Sequence, residues 1–325
     1  MNGNRWHALA MLIMLSVAAV SAPAPATAQS AETVGVVTEI KVGRGKVDVK
    51  PAGAADWRRV GPLAALRAGD AVRATEDASV VILLSGGRGT FKVDAAKSPF
   101  TVPAPAAGAG KLEKAGTLVQ AGIGYLATAP KEAPKAVLAV RSASRPPTVI
   151  SPRNSTVFPD ALVFEWMGNS FSRYTVRVLG PGGPVFEQKG VTGARLEYPL
   201  QAPRLEPRTR YTLQVQAGSQ APQEAWFEVV DGARGQTIRQ DLVALEQALG
   251  ASVSPSSLAA VKAGVLARDG LLHDARRTVL AALARDPDEP TLHQLLGNLY
   301  LQSGLVELGA ESHDEAEFLL TRGAK

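Results

Sequence analysis

The sequence predicts a multidomain chain that is β first and α last: a small β-domain, then a two-sheet β-sandwich, then a short α-helical repeat. Three observations carry this expectation. Apolar residues alternate with polar ones between Gly-rich turns over residues 34–93. A second series of short alternating runs, separated by Pro and Gly, fills residues 148–231. Beyond Gly232 the apolar spacing lengthens to that of a helix. With 325 residues, 46% of them hydrophobic, the chain has material for two or three ordinary domains rather than one large core.

Residues 1–28 open with Arg5 and His7, continue in an apolar run from Ala8 to Val20, and end on Ala26-Thr27-Ala28 before Gln29. That is the pattern of a cleavable signal peptide. The run falls short of the roughly 20 residues needed to span a bilayer core, so export to the periplasm or exterior is expected, with a retained anchor as the alternative. No later segment reads as a membrane span. The absence of Cys excludes disulfides and a lipid-modified N-terminal Cys.

The formal net charge is +5, and its arginines (Arg58, Arg59, Arg88, Arg173, Arg195, Arg276) are scattered among acids. Aromatic residues make up only 5%, and no basic stripe with aromatic platforms is legible, so nucleic-acid binding is not expected. A solvated surface of mixed charge is the expectation, with weak attraction to an anionic envelope polymer as the alternative.

The first domain spans residues 32–140, most clearly 34–93. Val37, Ile40 and Val42 precede a Gly-Arg-Gly turn, and Val47 and Val49 follow it, which is a hairpin signal. Val72, Val80, Ile82 and Leu84 supply further inward positions after the Ala68-Gly69-Asp70 turn. Asp56, Asp70, Glu76 and Asp77 are the local candidates for acid–base work. Asp beside Gly is foremost a turn pair, because its short side chain binds nearby backbone N–H groups. Residues 99–147 are rich in Pro, Ala and Gly, which resists long helices; Leu112, Leu118, Val119, Ile123 and Leu126 are expected to add a few strands before a linker at residues 141–147. Gly108-Ala109-Gly110-Lys111 fails as a phosphate loop, since Leu112 replaces the Ser or Thr and Pro105 the first Gly. Gly122-Ile123-Gly124 followed by Ala127 lacks the βαβ setting of a dinucleotide site.

The order Gly35, Val37, Gly45, Val47, Val49, Trp57, Leu66, Gly69-Asp70, Val72-Arg73, Thr75, Ser79, Val81 and Leu83 resembles the FecR domain. The resemblance implies a periplasmic β-domain of the kind found in regulators that relay the state of an outer-membrane transporter to a sigma factor. Ser85-Gly86-Gly87 stands where that family carries Asp-Gly-Ser, and nothing in the chain resembles the cytoplasmic anti-sigma segment. The resemblance therefore implies an interaction module more than a signalling switch.

In the second domain, residues 148–231, strands are expected at Ala161 to Trp166, Arg173 to Leu179, Val185 to Lys189, Ala194 to Tyr198, Tyr211 to Gln216 and Glu224 to Val230. Leu205 to Leu213 resembles the tyrosine corner of fibronectin type III domains, which implies that the Tyr211 hydroxyl bonds backbone just upstream. Trp166 and Tyr211 are then core and corner rather than a sugar-stacking pair.

The third domain, residues 234–322, begins with Ile238, Leu242, Leu245 and Leu249 at helical spacing, and Ser254-Pro255 restarts a helix as cap and first-turn proline. Ala263, Leu266, Gly270-Leu271, Ala275, Val279, Ala282 and Pro287 resemble one tetratricopeptide repeat, and Leu296, Gly297, Tyr300, Gly304-Leu305 and Ala316 a second. Gly309 and His313 depart from that pattern. Two repeats are fewer than a free-standing solenoid prefers, so the array is expected to lean on the sandwich, another copy or a partner. The resemblance implies peptide binding along the inner face of the first helices, where Thr291, Gln294, Asn298 and Leu301 are the candidate partner-binding residues; solvated helix positions are the plainer reading.

His273, His293 and His313 invite a metal hypothesis by their equal spacing, yet they occupy different repeat positions near expected turns or exposed faces, and no Cys joins them. No Gly-x-Ser-x-Gly elbow occurs. No metal, cofactor or catalytic activity is expected. The sequence reads as a non-catalytic envelope scaffold that binds an envelope protein or peptide. The alternatives are a peptidoglycan or carbohydrate binder that recruits a partner, and a FecR-type signalling accessory.

Overall fold

The computed structural model describes residues 32–85, 88–104, 113–128, 146–160 and 162–322. The expected signal peptide, most of the expected linker, Gly86-Gly87 and the stretch from Gly108 to Leu112 lie outside these. The described residues form one compact unit.

Eight strands come first: β1 (Thr33–Lys41), β2 (Val47–Lys50), β3 (Arg58–Arg59), β4 (Ala65–Arg67), β5 (Ala71–Ala74), β6 (Ser79–Leu84), β7 (Thr90–Val93) and β8 (Phe100–Thr101). They form two antiparallel sheets ordered β4-β1-β6-β7 and β3-β2-β5-β8. Val37, Ile40, Val47, Val49, Leu66, Val72, Val80 and Ile82 fill the space between them. β1 is buried over most of its length because both its faces are covered. Its register slips between Val37 and Glu39, so Val37 and Ile40, three apart, both reach the inter-sheet core, while Val36 joins Leu83 on the opposite face. Asp70 behaves as the turn acid that the sequence suggests: its carboxylate accepts from the N–H groups of Ala52 and Arg67, both at 2.9 Å. Asp77 likewise accepts from Gly45 N–H at 3.0 Å.

The strands expected near residues 112–126 are instead a helix, α1 (Glu113–Thr128). Leu118, Val119, Ile123 and Leu126 fall on one helical face and are buried among the later helices. Gly122 lets that face come close: a Cβ there would lie 3.0 Å from Val261 Cγ1, and one on Gly264 would lie 3.3 Å from the Gly122 carbonyl oxygen. Gly122 thus serves helix crossing, which a reading of Gly and Pro as breakers misses.

Eight more strands follow: β9 (Thr148–Ser151), β10 (Ser155–Val157), β11 (Val163–Met167), β12 (Arg173–Gly180), β13 (Gly183–Thr192), β14 (Arg195–Glu197), β15 (Arg210–Ala217) and β16 (Gln223–Val229). Sheets β10-β16-β15-β12-β13 and β14-β11-β9 enclose Phe164, Trp166, Tyr174, Val176, Leu213 and Phe227. The six expected strands correspond to β11 to β16. The short, Ser- and Thr-rich β9 and β10 offer too little alternation to be read in advance, and β10 lies parallel to β16. Glu206 N–H donates to the Tyr211 hydroxyl oxygen at 2.8 Å, with the Tyr211 ring stacked 5.6 Å from that of Phe227.

The chain ends in α2 (Gly232–Leu249), α3 (Pro255–Arg268), α4 (Leu272–Leu283), α5 (Pro290–Gln302) and α6 (Val306–Thr321). The cap on α3 is Ser254, whose hydroxyl oxygen accepts from Ser257 N–H at 3.1 Å. The α3–α4 and α5–α6 hairpins turn on Gly270 and Gly304, at φ +82° and +81°. After each, a buried Leu N–H returns to the helix, Leu271 to the Leu266 carbonyl and Leu305 to that of Tyr300. Gly309 and His313, which depart from the repeat pattern, are explained by the α5–α6 crossing. A Cβ on Gly297 would overlap the His313 ring and lie 2.9 Å from the Gly309 carbonyl oxygen. Among the described residues no helix is long and apolar enough to cross a membrane.

Replacing Tyr211 by Phe removes a hydrogen bond inside the sandwich and is expected to cost about 1 kcal/mol, read as a lower melting temperature; an unchanged value would contradict the role given to the hydroxyl. Gly297→Ala is expected to destabilise by about 1–3 kcal/mol through overpacking. Gly124→Ala, at a helix position with open space around it, is expected to stabilise by about 0.5–1 kcal/mol. Chemical denaturation of the two variants separates crowding from helix propensity.

Candidate functional site

The polar groups of interest lie where the three parts of the chain meet. β1 packs against α1, α3 and α5 together, so the first β-domain covers the face that these helices share. Its residues 38–41 meet the starts of α3 and α5. Thr38 Oγ1 lies 2.7 Å from Ser257 Oγ. Glu39 Oε1 accepts from Ser257 N–H at 3.2 Å, from Ser257 Oγ at 2.6 Å and from the Ser254 hydroxyl. A carboxylate at a helix N-terminus meets unpaired N–H groups and the positive end of the helix dipole.

At α5 the acid comes from the helix. Glu289, the N-cap, is fully buried, and its Oε1 accepts from Ile40 N–H at 3.0 Å and from Thr291 N–H at 3.1 Å. Lys41 Nζ stands 3.2 Å from Glu289 Oε2 and 2.8 Å from both Asp286 carboxylate oxygens. Burial pushes the Glu289 carboxyl up to about 7, against the pull of Lys41 and the two N–H groups. For Lys41, burial lowers the ammonium, but Asp286 and Glu289 outweigh it and the net shift is upward. A cleft of about 260 Å³ opens at this end of the seam, lined by Lys41, Asp286, Asp288, Leu319 and Arg322 among others. Its charges are already matched, with Arg322 on Asp288 at 2.8 Å.

The second seam joins the sandwich to the helix turns. Thr156 N–H donates to the Gly270 carbonyl at 2.9 Å, and His273 N–H to Ser155 Oγ at 3.0 Å. Ser151 Oγ lies 2.6 Å from His273 Nδ1. One repeat further on, Arg153 Nε and Asn154 Nδ2 both donate to the Ser303 carbonyl at 3.1 Å. Arg276 reaches Glu165 at 2.7 Å. Burial, reinforced by Arg277 and Arg276, pushes the His273 imidazole down to about 3, so it is neutral at pH 7. Asp274 beside it is pushed up to about 6, again by burial.

The chain matches no family model and no curated protein.

The four candidate partner-binding residues do not share an open face. Thr291 and Asn298 are fully buried, Gln294 nearly so, and Leu301 half-buried. Asn298 Oδ1 lies 3.0 Å from His313 Nε2, and Leu301 packs where Gly309 leaves room, so these two serve the contact between α5 and α6. The histidines are also separate: His273 is at the sandwich seam, His313 is buried on Asn298, and His293 Nε2 lies 2.7 Å from the Pro287 carbonyl oxygen. His273 and His313 are buried: His273 lies beside the Gly270 turn, as a placement near turns suggested, while His313 is not on an exposed face. Among the described residues no group of three or more His, Asp and Glu side chains is placed to hold a metal.

Sequence reasoning passed over Glu39, Lys41, Ser151, Ser155, Ser257 and Glu289. The available signal was the run Asp286-Pro287-Asp288-Glu289-Pro290, in which an acid directly before a first-turn proline reads as a helix cap.

Because its folded pKa is raised, Glu289 holds a proton in the native state between pH ~4.5 and ~7 that the unfolded chain has released. Its contribution therefore falls as pH rises through that window. His273, with its lowered value, acts in the opposite sense below pH ~6.5. The quantity to measure is thus the gap between wild type and Glu289→Gln. Between pH ~5 and ~8 it is expected to move toward the variant by on the order of 2–3 kcal/mol. A gap independent of pH would contradict the buried environment of Glu289.

Proposed function

We propose that the chain is a non-catalytic, exported envelope protein that acts as a protein–protein interaction scaffold. The observation that carries this reading is the use made of its buried polar groups. Glu289, Ser257, His273, Ser155 and Arg276 each tie one part of the chain to another. A body joined in this way holds its outer surfaces at fixed distances and orientations, which is what an adaptor between macromolecules requires.

The finer assignments belong to the same proposal. A FecR-like first domain accords with the two packed sheets, and a fibronectin type III-like second domain with the bond between Glu206 and Tyr211. Tetratricopeptide-like helices accord with equivalent glycine turns at Gly270 and Gly304. With β1 lying across α1, α3 and α5, a protein partner is met on outward surfaces rather than on the inner face.

Cross-linking in intact cells followed by purification tests the proposal. One protein partner recovered in stoichiometric amount, with the isolated chain failing to bind protein-free sacculi, is the expected result. Retention on bare sacculi with no protein partner would overturn it in favour of a peptidoglycan binder.

A further inference from the structure

The arginines and lysines of the first domain look dispersed along the sequence, but strand register gathers several on one surface. In β2, Val47 and Val49 point into the core between the sheets. Asp48, Lys50 and the preceding Lys46 therefore occupy the outer face of sheet β3-β2-β5-β8. Asp48 stands opposite Arg59 on one side and Arg73 on the other. In the next row, Lys50 is opposite Ala71, which is opposite Thr101. Trp57 reaches the same row, with Lys50 Nζ 5.5 Å and the Arg73 guanidinium 4.3 Å from its ring centroid.

Among the described residues Asp48 is the acid ion-paired with this cluster; it is buried beneath Arg73, which it neutralises at 2.9 and 3.0 Å. Arg59 donates to the Leu320 carbonyl, a neutral group, and keeps its charge. Lys46, Lys50 and Arg59 have no acidic partner among the described residues. Lys46 and Arg59 are exposed and Lys50 partly so. The opposite sheet turns toward α1, α3 and α5 through Val36 and Leu83, so this face is turned away from them, with the end of α6 reaching only its β3 edge through Arg59 and Leu320.

We propose that this sheet face rests on an anionic phospholipid surface. The cations are spread in two dimensions: Arg59 and Arg73 flank Asp48 on either side of β2, about 10 Å apart, and Lys46 and Lys50 lie about 13 Å apart along it. They form a flat lattice rather than a single track, which suits a plane of headgroups better than one polymer strand. Trp57 adds the amphipathic ring that favours the water–lipid boundary. The face carries no large exposed apolar side chain, so the contact is peripheral and salt-sensitive. This inference stands apart from the scaffold reading and fails or holds independently of it.

The test is co-sedimentation of the exported protein with vesicles of phosphatidylcholine alone and with an equal mixture of phosphatidylcholine and phosphatidylglycerol. Binding to the anionic vesicles is expected to be at least about tenfold stronger and to fall steeply with salt, since each basic residue near such a surface is worth ~1 kcal/mol. Lys46→Glu with Lys50→Glu is expected to abolish the difference. Lys92→Glu with Arg204→Glu changes net charge equally at exposed sites off this face, one on β7 and one in the loop before β15, and is expected to weaken binding far less. The proposal is overturned by equal or absent binding to the two vesicle types, by equal losses in the two double variants, or by binding to soluble polyphosphate or bare sacculi without binding to vesicles.

Discussion

β1 is buried on both faces, and the arrangement of the molecule follows from that. One face closes the first β-domain through Val37 and Ile40. The other lies on α1, α3 and α5 and must satisfy the free N–H groups at the starts of two helices. Glu39 supplies the acceptor at α3, while at α5 the helix supplies its own acid, Glu289, which binds β1 backbone in return. Fully burying a charged carboxyl is costly unless it is paired and hydrogen-bonded. Two N–H donors and Lys41 offset part of that cost at Glu289, whose carboxyl is still pushed up to about 7 by burial. Loss of any one of them would leave a buried acid short of partners, so the seam favours a single register.

The sandwich is held by a different device. Segment 151–156 touches both hairpin turns, Gly270 through Ser155 and Thr156, and Ser303 beside Gly304 through Arg153 and Asn154. Each turn exposes carbonyl groups because the helix has ended, and those carbonyls become acceptors for the sandwich. Repetition in the helices thus gives two equivalent docking points. Two such points restrict rotation where one would act as a pivot.

Much of this architecture was legible in the residues. Alternation located β11 to β16, and Ser254-Pro255 marked the start of α3, because each rests on a local rule of spacing or capping; Gly270 and Gly304 entered only as repeat positions, and their φ shows them to be the turns. α1 was missed because Gly122 and Gly124 read as breakers. The value of Gly122 lies in the approach of α3, which no local window contains. Thr291, Gln294 and Asn298 were read as an open face on a helix taken alone; packing against α6 and β1 decides their exposure. The basic face escaped notice for a related reason: register, not sequence proximity, brings Arg59 and Arg73 beside Asp48.

If the two seams bind the three parts into one body, those parts cannot melt separately. Differential scanning calorimetry of the protein at neutral pH tests this most directly. The account requires a single transition whose calorimetric enthalpy equals its van't Hoff enthalpy. Two or three resolved transitions, with the sandwich or the helices melting alone, would contradict it.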